Sequence, residues 1–312
     1  MIMGSENFVG SYGVLVTPFT KENQSLDLES LRNLIEWQIK CKSPGIILLG
    51  TTGEFLTISD EERNLLVETA IKYVDGRIKV LVGTMNAYTP KAVAYSKEAE
   101  ELGADGLMIL PPYYYTPTHE EIYNYYKAIC EKVNIPIMVY NNPFTSNVDM
   151  PAKLIAKLTE DFEQIRYIKE ASKDLGRIRE IINETDGVMN VFAGERVVDS
   201  YMLGATGYVN PYANYIPEAS TIICEYLANK EYEKAERISN LIEKLDAIIA
   251  LGHPTYGHQC YSKALAAVRG YPVGDVRPPL TKFTELGAEG TDRVKRITAI
   301  MNQLDDLLKE LN

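Results

Sequence analysis

"KVLVGTMNAYTPKAVAYSKEAEELGADGLMIL", residues 79–110, reads as strand, helix, strand. Its two apolar runs, 79–84 and 106–110, are continuous rather than alternating, which fits strands buried on both faces of a parallel sheet. The helix between them stops at Gly103, the residue type that most easily takes the left-handed turn past a helix end. The same unit recurs outward in both directions. Further strands are predicted at 13–17, 45–50, 136–140, 166–169, 190–194 and 207–210. Eight strands in repeats of mostly about 25–33 residues point to an α/β fold, a (β/α)8 TIM barrel. An open doubly wound sheet is the competitor, weakened by the count of eight and by the lack of GxGxxG after any strand. The last repeat is short, with helix over 196–204. After Asn214 only helix remains, over 217–229, 231–251, 258–269 and 289–311, with a Pro/Gly-rich linker "GYPVGDVRPPL" before the last. The expected organisation is a barrel over 1–214 and C-terminal helices over 215–312 packed on it.

Helix starts are readable too. Leu28, Leu31, Leu34, Ile35 and Ile39 make one apolar stripe. Ser59 with Glu62, and Thr118 with Glu121, have capping-box spacing. Asp149 is expected to cap a helix with Pro151 in its first turn. A net charge of −11 argues against the clustered basic surface that nucleic acids and anionic membranes require. Four scattered cysteines without a CxxC fit a reducing compartment. The first residues lack the basic and apolar regions of a signal peptide, and no apolar run approaches the roughly 20 residues of a membrane span. A cytoplasmic protein is expected.

In such barrels chemistry sits where strands end. Those ends carry Thr17, "GTTGEF" (50–55), "PPYYYTP" (111–117), "YNNP" (140–143), Lys169 and Gly194. Lys169 ends an apolar strand and is followed by the small residues Ala171 and Ser172, which leave space beside it. Only a neutral amine condenses with a ketone; enclosure disfavours the charged form, and arginine cannot substitute because it keeps its proton. The alternative is a plain ion pair with Glu170. Thr51, Thr52 and the N–H groups of the loop at Gly53 are neutral donors suited to a substrate carboxylate, or else turn residues bonding their own backbone. Glu54 supports the loop or is solvated. Tyr140, next to Lys169, can serve as acid and base. Tyr113, Tyr114 and Tyr115 have the character of an interface. His253, His258 and Cys260 in "GHPTYGHQC" have the spacing of a metal half-site, but without a fourth ligand or a CxxC they read as polar residues of an interhelical loop.

The chain resembles the dihydrodipicolinate synthase and N-acetylneuraminate lyase group of pyruvate-handling Schiff-base enzymes. "GTTGEF", "PPYYYTPT", "VYNNP", "IKEAS" and "GERVVDSYMLGATGYVN" come in that family's order, and the likeness runs from about residue 10 to about 300. The resemblance implies a lyase that joins pyruvate to an aldehyde or releases it, through a Schiff base on Lys169 and without metal or other cofactor. It implies Tyr140 and Thr51 in a proton relay, Thr52 on the carboxylate, and Gly194 and Val209 lining the pocket. Tyr114 would enter a neighbouring subunit's site, in a homotetramer built from such pairs. Some relatives instead expel water or ammonia from a 2-keto acid. One departure stands out: Thr145 occupies the place where dihydrodipicolinate-forming enzymes usually carry an arginine for the second substrate's carboxylate. A polar acceptor bound by Thr145, Asn142 and Ser146 is then the expectation. A barrel that binds a small 2-keto acid or a protein partner without turnover is the remaining class.

Overall fold

A computed structural model describes residues 8–250 and 257–311. The barrel strands and helices run in chain order: β1 Gly10–Val14, α1 Leu28–Lys40, β2 Gly45–Leu48, α2 Asp60–Val74, β3 Lys79–Gly83, α3 Thr89–Leu102 and β4 Gly106–Ile109. There follow α4 His119–Cys130, β5 Ile137–Asn141, the short α5 Pro143–Ser146, α6 Ala152–Asp161, β6 Ile165–Glu170, α7 Leu175–Glu184, β7 Asn190–Ala193, α8 Val197–Met202 and β8 Gly207–Asn210. The eight strands close into a parallel barrel in sequence order, β8 pairing back onto β1. Helices α9 Pro217–Ala228, α10 Tyr232–Ala250, α11 His258–Val268 and α12 Gly287–Leu311 complete the chain, and α9, α10 and α12 share a second apolar cluster.

Strand limits depart from the apolar runs where hydrogen bonding rather than apolarity decides. β1 begins at Gly10, three residues before its apolar run, because Gly10–Gly13 must pair with β8 to close the barrel. Its polar Ser11 is buried but accepts a bond from Asn210 Nδ2 at 3.0 Å. The barrel floor is filled by aromatic rings, with Phe8 and Tyr167 at 4.7 Å between centroids and Tyr12 edge-on to Phe192 at 5.7 Å. Those rings explain Gly207: a Cβ there would lie 2.2 Å from the Phe192 ring.

Both capping boxes form. The Asp149 cap does not: Pro151 is the N-cap of α6, and Asp149 instead binds Arg177 at 3.0 Å and accepts from Asn141. Nor is the stretch before α12 a loose spacer. Val273 and Val276 are buried, and the Val273 carbonyl accepts from the Phe19 amide, which ties the stretch to the loop after β1.

Candidate active site

A bulge places Lys169. β5 pairs with β6 at Ile137↔Ile165, then slips to Met138↔Tyr167, leaving Arg166 as an extra residue. Without the slip Tyr140 would stand beside Ile168, whose side chain faces the helices; with it, Tyr140 stands beside Lys169. Arg166 suits the bulge because its guanidinium donates to the carbonyls of Thr159, Phe162 and Ile165. Side-chain alternation then sends Tyr167 and Lys169 inward, and Ile168 and Glu170 outward. Lys169 is 9% exposed, and its Nζ lies 4.3 Å from the centroid of the Tyr140 ring. Glu170, offered by the sequence as an ion-pair partner, bonds Asn141 and the Ser172 amide. Burial pushes its carboxyl above the ordinary carboxylate range.

The Tyr140 oxygen accepts from Asn142 Nδ2 at 2.7 Å, which leaves the phenolic proton for another acceptor. Thr145 is exposed on α5, its hydroxyl at 3.4 Å from the Asn142 carbonyl of its own turn, and Ser146 bonds the same carbonyl. Gly194 lies where β6 and β7 crowd together: a Cβ there would sit 2.6 Å from Ala171 Cβ and 2.9 Å from the Glu170 carbonyl. Gly194→Ala is therefore expected to push the loop after Lys169 aside, costing about 1–3 kcal/mol of stability and most of the activity. Thermal melting and turnover on one preparation check this. Val209 is fully buried inside the barrel, in one cluster with Tyr140 and Tyr167.

The turn after β2 is held from three sides. Thr17 Oγ1 donates to the Gly53 carbonyl at 2.6 Å. Glu54, in a left-handed conformation, is fully buried in an ion pair with Lys263 of α11 at 2.7 Å, and it accepts from the Arg277 amide at 2.9 Å. Gln259 of α11 donates to the Thr51 carbonyl. Thr52 is buried, and its Oγ1 lies 3.3 Å from Nε2 of His258, the first residue of α11. Burial, and to a lesser extent the charge of Lys169, push the His258 imidazole down to about 4.

The interhelical-loop reading of His258 is thus corrected: it opens α11 and stands against Thr52, and Cys260 of the same helix is buried. His253 lies outside the described residues. Lys263 was not singled out by the sequence at all. Its only signal was an ionisable residue on the apolar side of a predicted helix.

Tyr113 is half-buried, edge-on to Phe55. Tyr114 is 85% exposed with φ +79°, a strained conformation for a tyrosine. Leu56, Tyr88 and Tyr115 are exposed as well.

Comparisons with known proteins place the chain in a family. A family model described as the dihydrodipicolinate synthetase family matches residues 7–298. The 4-hydroxy-tetrahydrodipicolinate synthase of Persephonella marina is 35% identical over 240 residues, 76% of this chain and 81% of that protein. That of Syntrophus aciditrophicus is 34% identical over 290 residues, covering 92% and 97%. Among solved structures, the chloride-inhibited dihydrodipicolinate synthase from Acinetobacter baumannii complexed with pyruvate superposes with a TM-score of 0.87. Its identity is 30%, over 95% of this chain and 99% of that one.

Proposed function

The chain belongs to the dihydrodipicolinate synthetase family, and on that premise we propose that it is a Schiff-base lyase joining pyruvate to an aldehyde, or releasing it. The observation that carries this reading is the enclosed Lys169 amine against the Tyr140 ring at the ends of the adjacent strands β6 and β5, in a parallel barrel whose strand β2 leads at the same end into the Thr51–Thr52 turn. The amine adds to C2 of pyruvate, and Tyr140 protonates the departing oxygen so that water leaves and an iminium remains. The cationic nitrogen acidifies C3, and loss of a C3 proton gives the enamine that attacks the aldehyde. Hydrolysis then frees Lys169. Thr52 and the Gly53 loop bind the carboxylate, and Thr51 takes part in moving the proton. No metal is required, because the iminium is the electron sink.

Borohydride reduction with pyruvate tests the reading. A mass increase mapped to Lys169 is expected; the absence of any adduct on Lys169 would leave a barrel that binds without turnover. Thr145 offers no cation for an acceptor carboxylate, which favours a polar, hydroxyl-bearing aldehyde. Glu195, after Gly194, has a buried carboxylate oxygen without a hydrogen-bond partner among the described residues, an acceptor suited to such a hydroxyl.

Tyr114 is assigned to the partner's site in a homotetramer of dimers. Its exposure and strained backbone, with Tyr88 and Tyr115 exposed too, support that role. Tyr114→Phe is expected to lower turnover on the order of 10²-fold while sedimentation shows the assembly intact. An unchanged rate removes the shared site. A cytoplasmic setting is consistent with the four unbridged cysteines among the described residues.

A further inference from the structure

Helix α11 reaches the carboxylate-binding turn through three side chains: His258 to Thr52, Gln259 to the Thr51 carbonyl, and Lys263 to Glu54. Two of these contacts brace the turn through its backbone or its far end. His258 alone touches a hydroxyl assigned to substrate. A threonine hydroxyl has one proton to give and two lone pairs to receive. Which way it points therefore depends on what its neighbour does. If His258 took the Thr52 proton, the side chain would present only lone pairs to an arriving carboxylate, and the contact would be repulsive.

We propose that His258 is a positioning residue for the 2-keto acid carboxylate: its Nε2–H donates to Thr52 Oγ1, so that the one Thr52 proton is left for the substrate. This rests on the Schiff-base reading above. The 3.3 Å separation makes this a long hydrogen bond, just past the usual range of about 2.7–3.2 Å. The ring is also suited chemically. With its pKa pushed down to about 4 by burial and by Lys169, it stays neutral at working pH, carries one N–H and adds no second cation beside the amine. The start of α11 contributes in the same direction, since the positive end of a helix disfavours imidazolium. A neutral donor beside a neutral hydroxyl lets the carboxylate be held while the lysine remains free to attack.

The test compares pyruvate with acetone, which offers the same ketone without a carboxylate. Borohydride trapping on Lys169 is measured against the concentration of each ketone for wild type, His258→Leu and His258→Gln. His258→Leu is expected to raise the pyruvate concentration for half-maximal trapping about tenfold, the worth of one neutral hydrogen bond, and to leave acetone trapping unchanged. His258→Gln, whose Nε2 can take the place of the imidazole donor, is expected to recover most of the pyruvate dependence. An unchanged pyruvate requirement in His258→Leu, or an equal loss for both ketones in both variants, overturns the assignment. Absence of any adduct in wild type overturns the lyase reading and this proposal with it, whereas trapped wild type with unaffected variants overturns this proposal alone.

Discussion

Lys169→Arg is expected to fold normally and to be inert: no borohydride adduct with pyruvate, and turnover lower by on the order of 10⁴-fold or more, as when a nucleophile is removed from an otherwise intact site. Charge and bulk are nearly kept. A guanidinium packs over an aromatic ring at least as well as an ammonium, so the contact with Tyr140 survives. What disappears is the ability to shed a proton. Arginine stays cationic at any pH the fold tolerates and has no lone pair with which to form a carbinolamine. The substitution thus separates the two readings of an enclosed lysine. A structural cation would be replaced with little loss; a nucleophile would not. Circular dichroism and melting establish the fold, and mass spectrometry after reduction establishes the chemistry. Turnover within tenfold of wild type would remove Lys169 as the nucleophile.

The barrel was legible because strands covered on both faces must be apolar on both faces, and β3, β4 and β5 announce themselves that way. β1 did so only in part, since its first residues are fixed by closure against β8. Lys169 and Tyr140 drew notice for a related reason: each is a polar residue at the end of an apolar run, and strand alternation turns both toward the barrel interior while Glu170 turns outward. The bulge that sets them side by side left no trace in the pattern, because one extra residue in a short strand still looks like a strand. His258 and Lys263 were illegible for a different reason. They act across more than 200 residues of sequence, and only the docking of α11 on the turn after β2 gives them a role. Asp149 fits a cap by local rules, but Arg177 and Asn141 compete for its carboxylate and win.

The Glu54–Lys263 pair allows the second large effect. Both side chains are almost fully excluded from water, at 0% and 1% exposure. Glu54→Gln should keep the acceptor for the Arg277 amide but leave the Lys263 ammonium, among the described residues, with the Asp275 carbonyl and the face of the Phe19 ring and no counter-charge in contact. Removing one partner of a buried pair typically costs about 3–5 kcal/mol, because the survivor keeps its desolvation and loses its compensation. A fall in melting temperature on the order of 10 °C follows. The pH dependence has a defined sign. Burial pushes Lys263 from the ordinary 10.5 down to about 8, so at neutral pH the pair is ionic. Between those two values the unfolded chain binds more protons than the folded one, and this lysine's contribution to stability rises with pH. Without Glu54 the folded value drops further and the window widens downward. Glu54→Gln should therefore regain part of its lost stability between pH 7 and 9, by more than wild type gains. Adding Lys263→Met removes the stranded charge, and the double variant should be more stable than Glu54→Gln alone, giving a coupling of at least about 1 kcal/mol in the double-mutant cycle. Because the pair anchors the turn bearing Thr51 and Thr52, Glu54→Gln should also raise the pyruvate requirement at temperatures where it remains folded. Additive single and double effects, or a Glu54→Gln protein as stable as wild type at pH 7, would mean that the pair does not hold the turn.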